Sequence, residues 1–239
     1  MKPRWRNRKK LQEFIAWPYA HRGLHGDFSA ENTKSAFKAA RDHGYGIEMD
    51  VRACKDQLVI HHDEDLKRSA GVEVKLEELA YDSLANYPLF RGEETVPTLE
   101  EVLGIIDGKV PLLLEIKTEK SHFDIARRVQ EIMDNYKGPY LIESFHPLVL
   151  LWYRLHRRDV LRGQLSAGDL EKSFFIRKAM AFLLFNFITR PDFIAYEKKG
   201  GFAPWFLHCL GTTTFVYTLE SPQEKKNYFD GQIFESYLP

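Results

Sequence analysis

Two short stretches place reactive side chains at a period of two. In Ile47-Glu48-Met49-Asp50-Val51 the acids alternate with apolar residues, and in Leu114-Glu115-Ile116-Lys117 an acid and a base do the same. Side chains of a β-strand alternate between its faces, so Glu48 and Asp50 share one face, as do Glu115 and Lys117. Two carboxylates crowded together repel unless they share a proton or a hard cation that takes oxygen ligands, such as Mg²⁺ or Ca²⁺. Nearby in sequence type are His21-Arg22 before Gly23, and His62 at the end of Leu58-Val59-Ile60-His61-His62. Arginine holds a phosphoryl oxygen bidentately and lysine holds it as a point charge. Histidine titrates near neutral pH, as a general acid and a general base require. The set suits hydrolysis at phosphorus. Glu48, Asp50 and Glu115 supply ligands for one divalent cation, Arg22 and Lys117 supply phosphate contacts, and His21 and His62 move protons. His61 has the opposite parity from His62 and reads as a surface residue or one that lies behind the site.

These residues need elements to carry them. Tyr19 to Gly23 reads as a short strand ending in a glycine turn. A helix follows, with Thr33 as its N-cap and Gly44 as the residue past its end. Ile47–Val51 is the second strand, closed into a hairpin by a turn at Lys55-Asp56-Gln57. Residues 64–95 are charged, aromatic and weakly periodic, and read as an insertion. Thr98 and Glu101 form a capping box that opens a helix ending near Asp107-Gly108. From there strands and helices alternate, with a long apolar helix expected over 170–189 and another helix over 221–229. Eight strands result: YAHRG, IEMDV, LLLEIK, YLIESF, VLRGQL, DFIAYE, TFVYT and GQIFES. Such alternation implies a parallel sheet, and eight units at this length favour a (β/α)₈ TIM barrel. No GxGxxG follows any strand. In such a barrel the site lies at the C-terminal strand ends, where His21, Arg22, Glu48, Asp50, Glu115, Lys117, Ser144 and Gln164 all fall.

Composition agrees with this reading. A chain of 239 residues suits one α/β barrel, here residues 17–239 behind a basic arm of residues 1–16. Formal net charge is zero, which gives no reason to expect nucleic acid. The two cysteines, Cys54 and Cys209, have no metal-ligand spacing and read as free thiols, consistent with a cytoplasmic location. No apolar run reaches the roughly 18 residues of a membrane-spanning helix. Between Lys2 and Lys10 stand six Lys or Arg residues. The arm reads as a solvated tail or as a peripheral contact of residues 2–10 with anionic membrane.

The chain also resembles the glycerophosphodiester phosphodiesterases. The matching pieces are HRG (21–23), EN (31–32), EMDV (48–51), HD (62–63), and LKRSAG with LEEL (66–79). PTLEEVL (97–103), LEIK (114–117) and SF (144–145) complete them in order. The resemblance implies a barrel with a small insertion after strand two that cleaves glycerophosphodiesters to an alcohol and sn-glycerol 3-phosphate. It implies metal ligands at Glu48, Asp50 and Glu115, catalytic histidines at His21 and His62, and phosphate contacts from Arg22 and Lys117. Glu31 and Asn32, placed after HRG, are expected in the substrate site. Of the two rings, His62 is expected to be the acid and His21 the base. The family's strand seven carries a tryptophan and then an asparagine. Here Tyr217-Thr218-Leu219-Glu220 keeps an aromatic wall in Tyr217 and loses the amide. Residues 143–147 read ESFHP, where an acid commonly follows the phenylalanine, and little chain follows strand eight. These departures bear on headgroup preference. The same chemistry on a membrane lipid, a lysophospholipase D or sphingomyelinase D-like activity, is the alternative expectation.

Overall fold

The computed structural model describes residues 5–26, 29–166, 185–198 and 202–239. Eight parallel strands alternate with helices along the chain, so the fold class is the expected (β/α)₈ barrel. The chain divides into two compact units, residues 20–139 and residues 1–19 with 140–239.

The first unit follows β1 (Pro18–Ala20) and contains α2 (Lys34–Asp42), β2 (Gly46–Ala53) and β3 (Leu58–Ile60). Thr33 caps α2 as expected, its hydroxyl accepting from Ala36 N, and Gly44 beyond the helix takes a φ of +73°. β2 is buried along Gly46–Val51, on both faces, so it is a core strand. It pairs antiparallel with β3, Val51 against Ile60, across the expected turn. β3 ends at Ile60, and both His61 and His62 lie beyond the ladder. On its other side β2 pairs in parallel with β6 (Leu112–Ile116), setting Ile47 against Leu112 and Asp50 against Glu115. α5 (Leu99–Ile106) opens on the Thr98–Glu101 capping box and stops where Asp107 and Gly108 turn left-handed. α6 (His122–Met133) follows β6.

Residues 64–95 form short elements: β4 (Asp65–Leu66), α3 (Lys67–Ala70), β5 (Val72–Lys75) and α4 (Tyr81–Leu84). β4 and β5 pair antiparallel. Leu66, Leu76, Leu84 and Leu89 pack with Cys54, Val59 and Val96 into a small buried cluster. Each fully buried leucine contributes about 1.5–3 kcal/mol, so the cluster ties this segment to the β2–β3 hairpin.

The second unit carries α1 (Trp5–Ile15), β7 (Tyr140–Ser144), α7 (Pro147–His156) and β8 (Arg162–Ser166). α8 (Asn186–Thr189), β9 (Phe193–Glu197), α9 (Phe202–Cys209), β10 (Thr213–Leu219) and β11 (Gly231–Phe234) complete it. β7 to β11 run parallel in chain order. Gly163 leaves room for the ring of Phe193, which packs on Phe215 at 4.9 Å.

Two expectations differ from the structure. Residues 5–15 are a helix rather than a tail, because Leu11 and Phe14 are buried and Asn7 Nδ2 donates to Asp192 Oδ1 at 2.7 Å. Residues 221–229 hold only a 3₁₀ turn at Pro222–Glu224, because Lys225 leaves the helical region for extended backbone at φ −71° and ψ 117°. Of the helix expected over 170–189, the residues up to 184 lie outside the described residues, and α8 covers Asn186–Thr189. Both cysteines are free, as expected. Among the described residues no helix is long and apolar enough to cross a membrane.

Candidate active site

The turn after β1 sets the first side chains in place. Gly23 N donates to Ala20 O, Arg22 takes a φ of 54° and Gly23 a φ of 83°. A Cβ on Gly23 would lie 2.9 Å from the Ala36 backbone, so only glycine fits this approach of the turn to α2. The left-handed Arg22 donates its backbone N–H to Glu48 Oε2 at 2.8 Å. Asn32, also left-handed at φ 56°, donates N–H to Arg22 O at 2.9 Å and its side-chain amide to Asp50 Oδ2 at 2.8 Å. Asparagine tolerates that backbone region better than most residues. Positive φ at two neighbouring polar residues is the kind of strain that clusters at functional sites.

The parallel register of β2 and β6 completes the centre. Glu48, Asp50 and Glu115 are all buried, and each offers a carboxylate oxygen within 4.8 Å of the others. Lys117 Nζ sits 2.7 Å from Glu115 Oε1 and 3.2 Å from Asp50 Oδ1. Arg22 Nε lies 3.2 Å from Asp50 Oδ2, and Arg22 Nη1 donates to Glu31 Oε1 at 2.8 Å. The donor set is all hard oxygen, buried and convergent, and so fits one Mg²⁺ or Ca²⁺.

Charge follows from this packing. Burial pushes the Asp50 carboxyl up, but Lys117 and Arg22 outweigh it and hold Asp50 well below the usual carboxylate range. Burial and the neighbouring Asp50 charge push Glu115 up, against the pull of Lys117. Burial works against the charge of Lys117 too, yet Asp50 and Glu115 raise it above the ordinary lysine value. Three crowded acids thus have one member displaced toward neutrality, which an added cation relieves.

The histidines flank this centre. His21 is half-buried in the turn after β1, and its charged form acts on Asp50. His62 shares Nδ1 with Asp63 Oδ1 at 2.7 Å, and its backbone carbonyl accepts from Arg52 Nε at 2.7 Å. Burial and the Lys117 charge lower His62 to about 4, against the opposing pull of Asp50 and Asp63. His61 is buried rather than on the surface. Its ring sits 3.0 Å from Asp63 O and 2.9 Å from Ser69 Oγ, which makes it a support for the loop behind His62.

Eight sequence-selected residues therefore meet through contacts or charge around Asp50 in the first unit: His21, Arg22, Glu31, Asn32, Glu48, His62, Glu115 and Lys117. Tyr217 belongs to the second unit, on β10, edge-to-face with Phe145 at 6.5 Å. Ser144 and Gln164 lie there too, and Gln164 Nε2 donates to the carbonyls of Ser144, Phe145 and Leu165. Two residues of the network carry no local sequence signal for a role. Asp63 and Arg68 stand in the stretches HD and LKRSAG, and only the fold shows that Arg68 Nε donates to Asp63 Oδ2 at 2.6 Å while Nη2 donates to Glu31 Oε1 at 2.5 Å.

Residues 21–141 match the model of the glycerophosphoryl diester phosphodiesterase family. Over 141 residues the chain is 32% identical to a glycerophosphodiester phosphodiesterase of Bacillus altitudinis, covering 54% of this chain and 57% of that one. Over 149 residues it is 33% identical to a lysophospholipase D of Mus musculus, covering 56% of this chain and 46% of that one. The chain thus spans about half the length of the curated relatives it matches. Among solved structures it resembles a phosphodiesterase of Oleispira antarctica in complex with the product sn-glycerol 3-phosphate. That likeness has a TM-score of 0.77 at 21% identity and covers 93% of this chain and 94% of that one. A glycerophosphodiester phosphodiesterase from Parabacteroides distasonis gives 0.74 at 23% identity, over 91% and 92%. These likenesses show the fold.

Proposed function

The chain belongs to the glycerophosphoryl diester phosphodiesterase family, and from that premise we propose that it hydrolyses glycerophosphodiesters to an alcohol and sn-glycerol 3-phosphate. The observation that carries this is the convergence of three buried carboxylates with Arg22, Lys117, His21 and His62. Glu48, Asp50 and Glu115 would hold one divalent cation, Mg²⁺ or Ca²⁺, which when bound neutralises charge that grows on the phosphoryl group. Arg22 and Lys117 bind and orient the phosphodiester anion, with Glu31 and Asn32 completing the substrate contacts of the first unit. His62 donates Nδ1–H to Asp63, which leaves Nε2 as the nitrogen that exchanges a proton with substrate. In the ligand-free protein His62 is neutral at pH 7. An anionic phosphodiester opposes the Lys117 charge on the ring and favours the imidazolium, the form that can protonate the departing alkoxide. His21 then serves as the base that deprotonates the nucleophile.

The test is release of glycerol 3-phosphate from glycerophosphodiesters, with Mg²⁺ or Ca²⁺ and after chelation. Turnover that requires the cation supports the reading. Full turnover in exhaustively chelated buffer overturns the cation's part in it, and no turnover under any condition overturns the reading.

A second reading has a specific observation behind it, the 33% identity to a lysophospholipase D. In it the same chemistry acts on a lysophospholipid, with residues 2–10 touching anionic membrane. Each basic residue near such a surface contributes about 1 kcal/mol, screened by salt. Liposome-dependent turnover that falls on deletion of residues 2–10 favours this reading. Turnover and liposome co-sedimentation unchanged by the deletion remove the membrane contact.

A further inference from the structure

One cation of the network touches neither the carboxylate cluster nor the place where substrate would lie, yet bridges two arms that do. Arg68 stands on α3, in the segment between β3 and α5. Its Nε donates to Asp63 Oδ2, whose other oxygen accepts from His62. Its Nη2 donates to Glu31 Oε1, the atom that also accepts from Arg22 Nη1. The guanidinium is packed over the ring of Phe90, 5.4 Å from its centroid, which limits where the fork can swing. The contacts form one continuous path: His62, Asp63, Arg68, Glu31, Arg22.

We propose that Arg68 is a positioning residue that locks the proton-transfer ring of His62 and the phosphate-binding guanidinium of Arg22 into one unit. The physical reason lies in the fork. A planar guanidinium offers divergent donors in fixed relation, so it sets the distance and angle between two carboxylates as an ammonium cannot. Asp63 held on its far oxygen by Arg68 keeps its near oxygen on His62 Nδ1. That fixes the tautomer with Nε2 free for substrate. Glu31, shared between Arg68 and Arg22, in turn limits the guanidinium of Arg22 to one orientation. The proton-transfer ring and the anion clamp are thereby aligned before substrate arrives, which is the state that catalysis by positioning needs. The segment carrying Arg68 is anchored independently by the Leu66, Leu76, Leu84 and Leu89 cluster, so the fork stands on a packed base.

The proposal rests on the phosphodiesterase reading for its kinetic consequence but not for its structural one, and the test separates them. First, ¹⁵N chemical shifts of the His62 ring, read without substrate, report the tautomer. The wild type should show Nδ1–H dominant, and Arg68→Ala should show a mixture, even if the protein proved to have no phosphodiesterase activity. Second, for the active enzyme, Arg68→Ala should lower kcat about 10- to 100-fold, and Arg68→Lys should recover only part of that loss. Added guanidinium ion should rescue Arg68→Ala but not His62→Ala. In a His62→Ala background, Arg68→Ala should cost only a few-fold more, because the His62 arm is already lost. If Arg68→Ala is too unstable to purify, the comparison runs on Arg68→Lys and Arg68→Gln at matched melting temperature. An unchanged His62 tautomer overturns the proposal. So does a loss that multiplies in full with His62→Ala, or wild-type kcat in folded Arg68→Ala.

Discussion

Asp50 and Glu115 are register partners on adjacent parallel strands, and Lys117 Nζ contacts both, at 3.2 Å and 2.7 Å. All three side chains are nearly excluded from solvent. The arrangement leaves Asp50 anionic and Glu115 pushed up, so the lysine holds two acids that would otherwise repel.

Removing that lysine should expose the repulsion. Breaking a buried ion pair by deleting one partner destabilises a protein by about 3–5 kcal/mol. Lys117→Met should lose stability of that order in chelator. Mg²⁺ or Ca²⁺ should restore a part, because a ligand bound only by the folded state stabilises it. Urea unfolding with and without cation measures both effects. Equal stability of Lys117→Met and wild type in chelator would show that the cluster is not held by this pair.

Gly23 should tolerate no side chain. Its φ of 83° and the 2.9 Å approach of a Cβ to Ala36 act together. Gly23→Ala should destabilise by more than about 1 kcal/mol, the scale of the conformational penalty alone. Because Gly23 follows Arg22 directly, activity should fall further than stability does. Thermal melts and initial rates on the same preparation separate the two.

Much of this centre was legible because its signals are local. Period two put Glu48 beside Asp50 and Glu115 beside Lys117, and Thr98 with Glu101 announced the start of α5. What was not legible depends on contacts between distant residues. Arg68 meets Glu31 across 37 positions, and no periodicity encodes that. Strand parity sets His61 either on the surface or behind the site, and only the fold decides between them: β3 stops at Ile60 and the chain turns His61 inward against Ser69. The arm at 5–15 reads as basic and solvated, yet it folds because two apolar residues, Leu11 and Phe14, find a buried surface that composition cannot show.

Acid should weaken the α2–α5 region through one carboxylate. Partial burial pushes Glu101 up, but Lys34, the Thr98 N–H and the Tyr81 hydroxyl outweigh it and lower it to about 2. A folded value below the unfolded one means that the unfolded chain binds the proton first as pH falls. The stabilisation is therefore fully present above about 4.5 and is lost as pH drops through about 2. Glu101→Gln should melt below wild type at pH 6, and the gap should close as pH approaches 2. A gap that stays constant over that range would mean that Glu101 acts through packing and not through its charge.

The two histidines give the sharpest test of the proposed chemistry. Hydrolysis of a phosphodiester of a natural alcohol needs a base for the nucleophile and an acid for a poor leaving group. Each proton transfer contributes ~10²–10⁴-fold in rate. His21→Ala and His62→Ala should both lose activity on that scale toward glycerophosphodiesters. They should separate on a nitrophenyl phosphodiester, whose leaving group departs without protonation. The Asp63 contact holds Nδ1 of His62 and leaves Nε2 free to exchange a proton, and the proposed mechanism gives His62 the part of the acid. His62→Ala should recover much of its rate on the nitrophenyl ester, and His21→Ala should not. The depressed value of His62, about 4, adds a pH signature. Its folded value lies below the unfolded one near 6.5, so the unfolded chain binds more protons between them. Stability should rise with pH across that window, and His62→Gln should flatten the rise in the metal-free protein. Recovery by His21→Ala in place of His62→Ala would reverse the two roles. Near-normal rates of both variants on the natural substrate would remove the histidine pair from the mechanism.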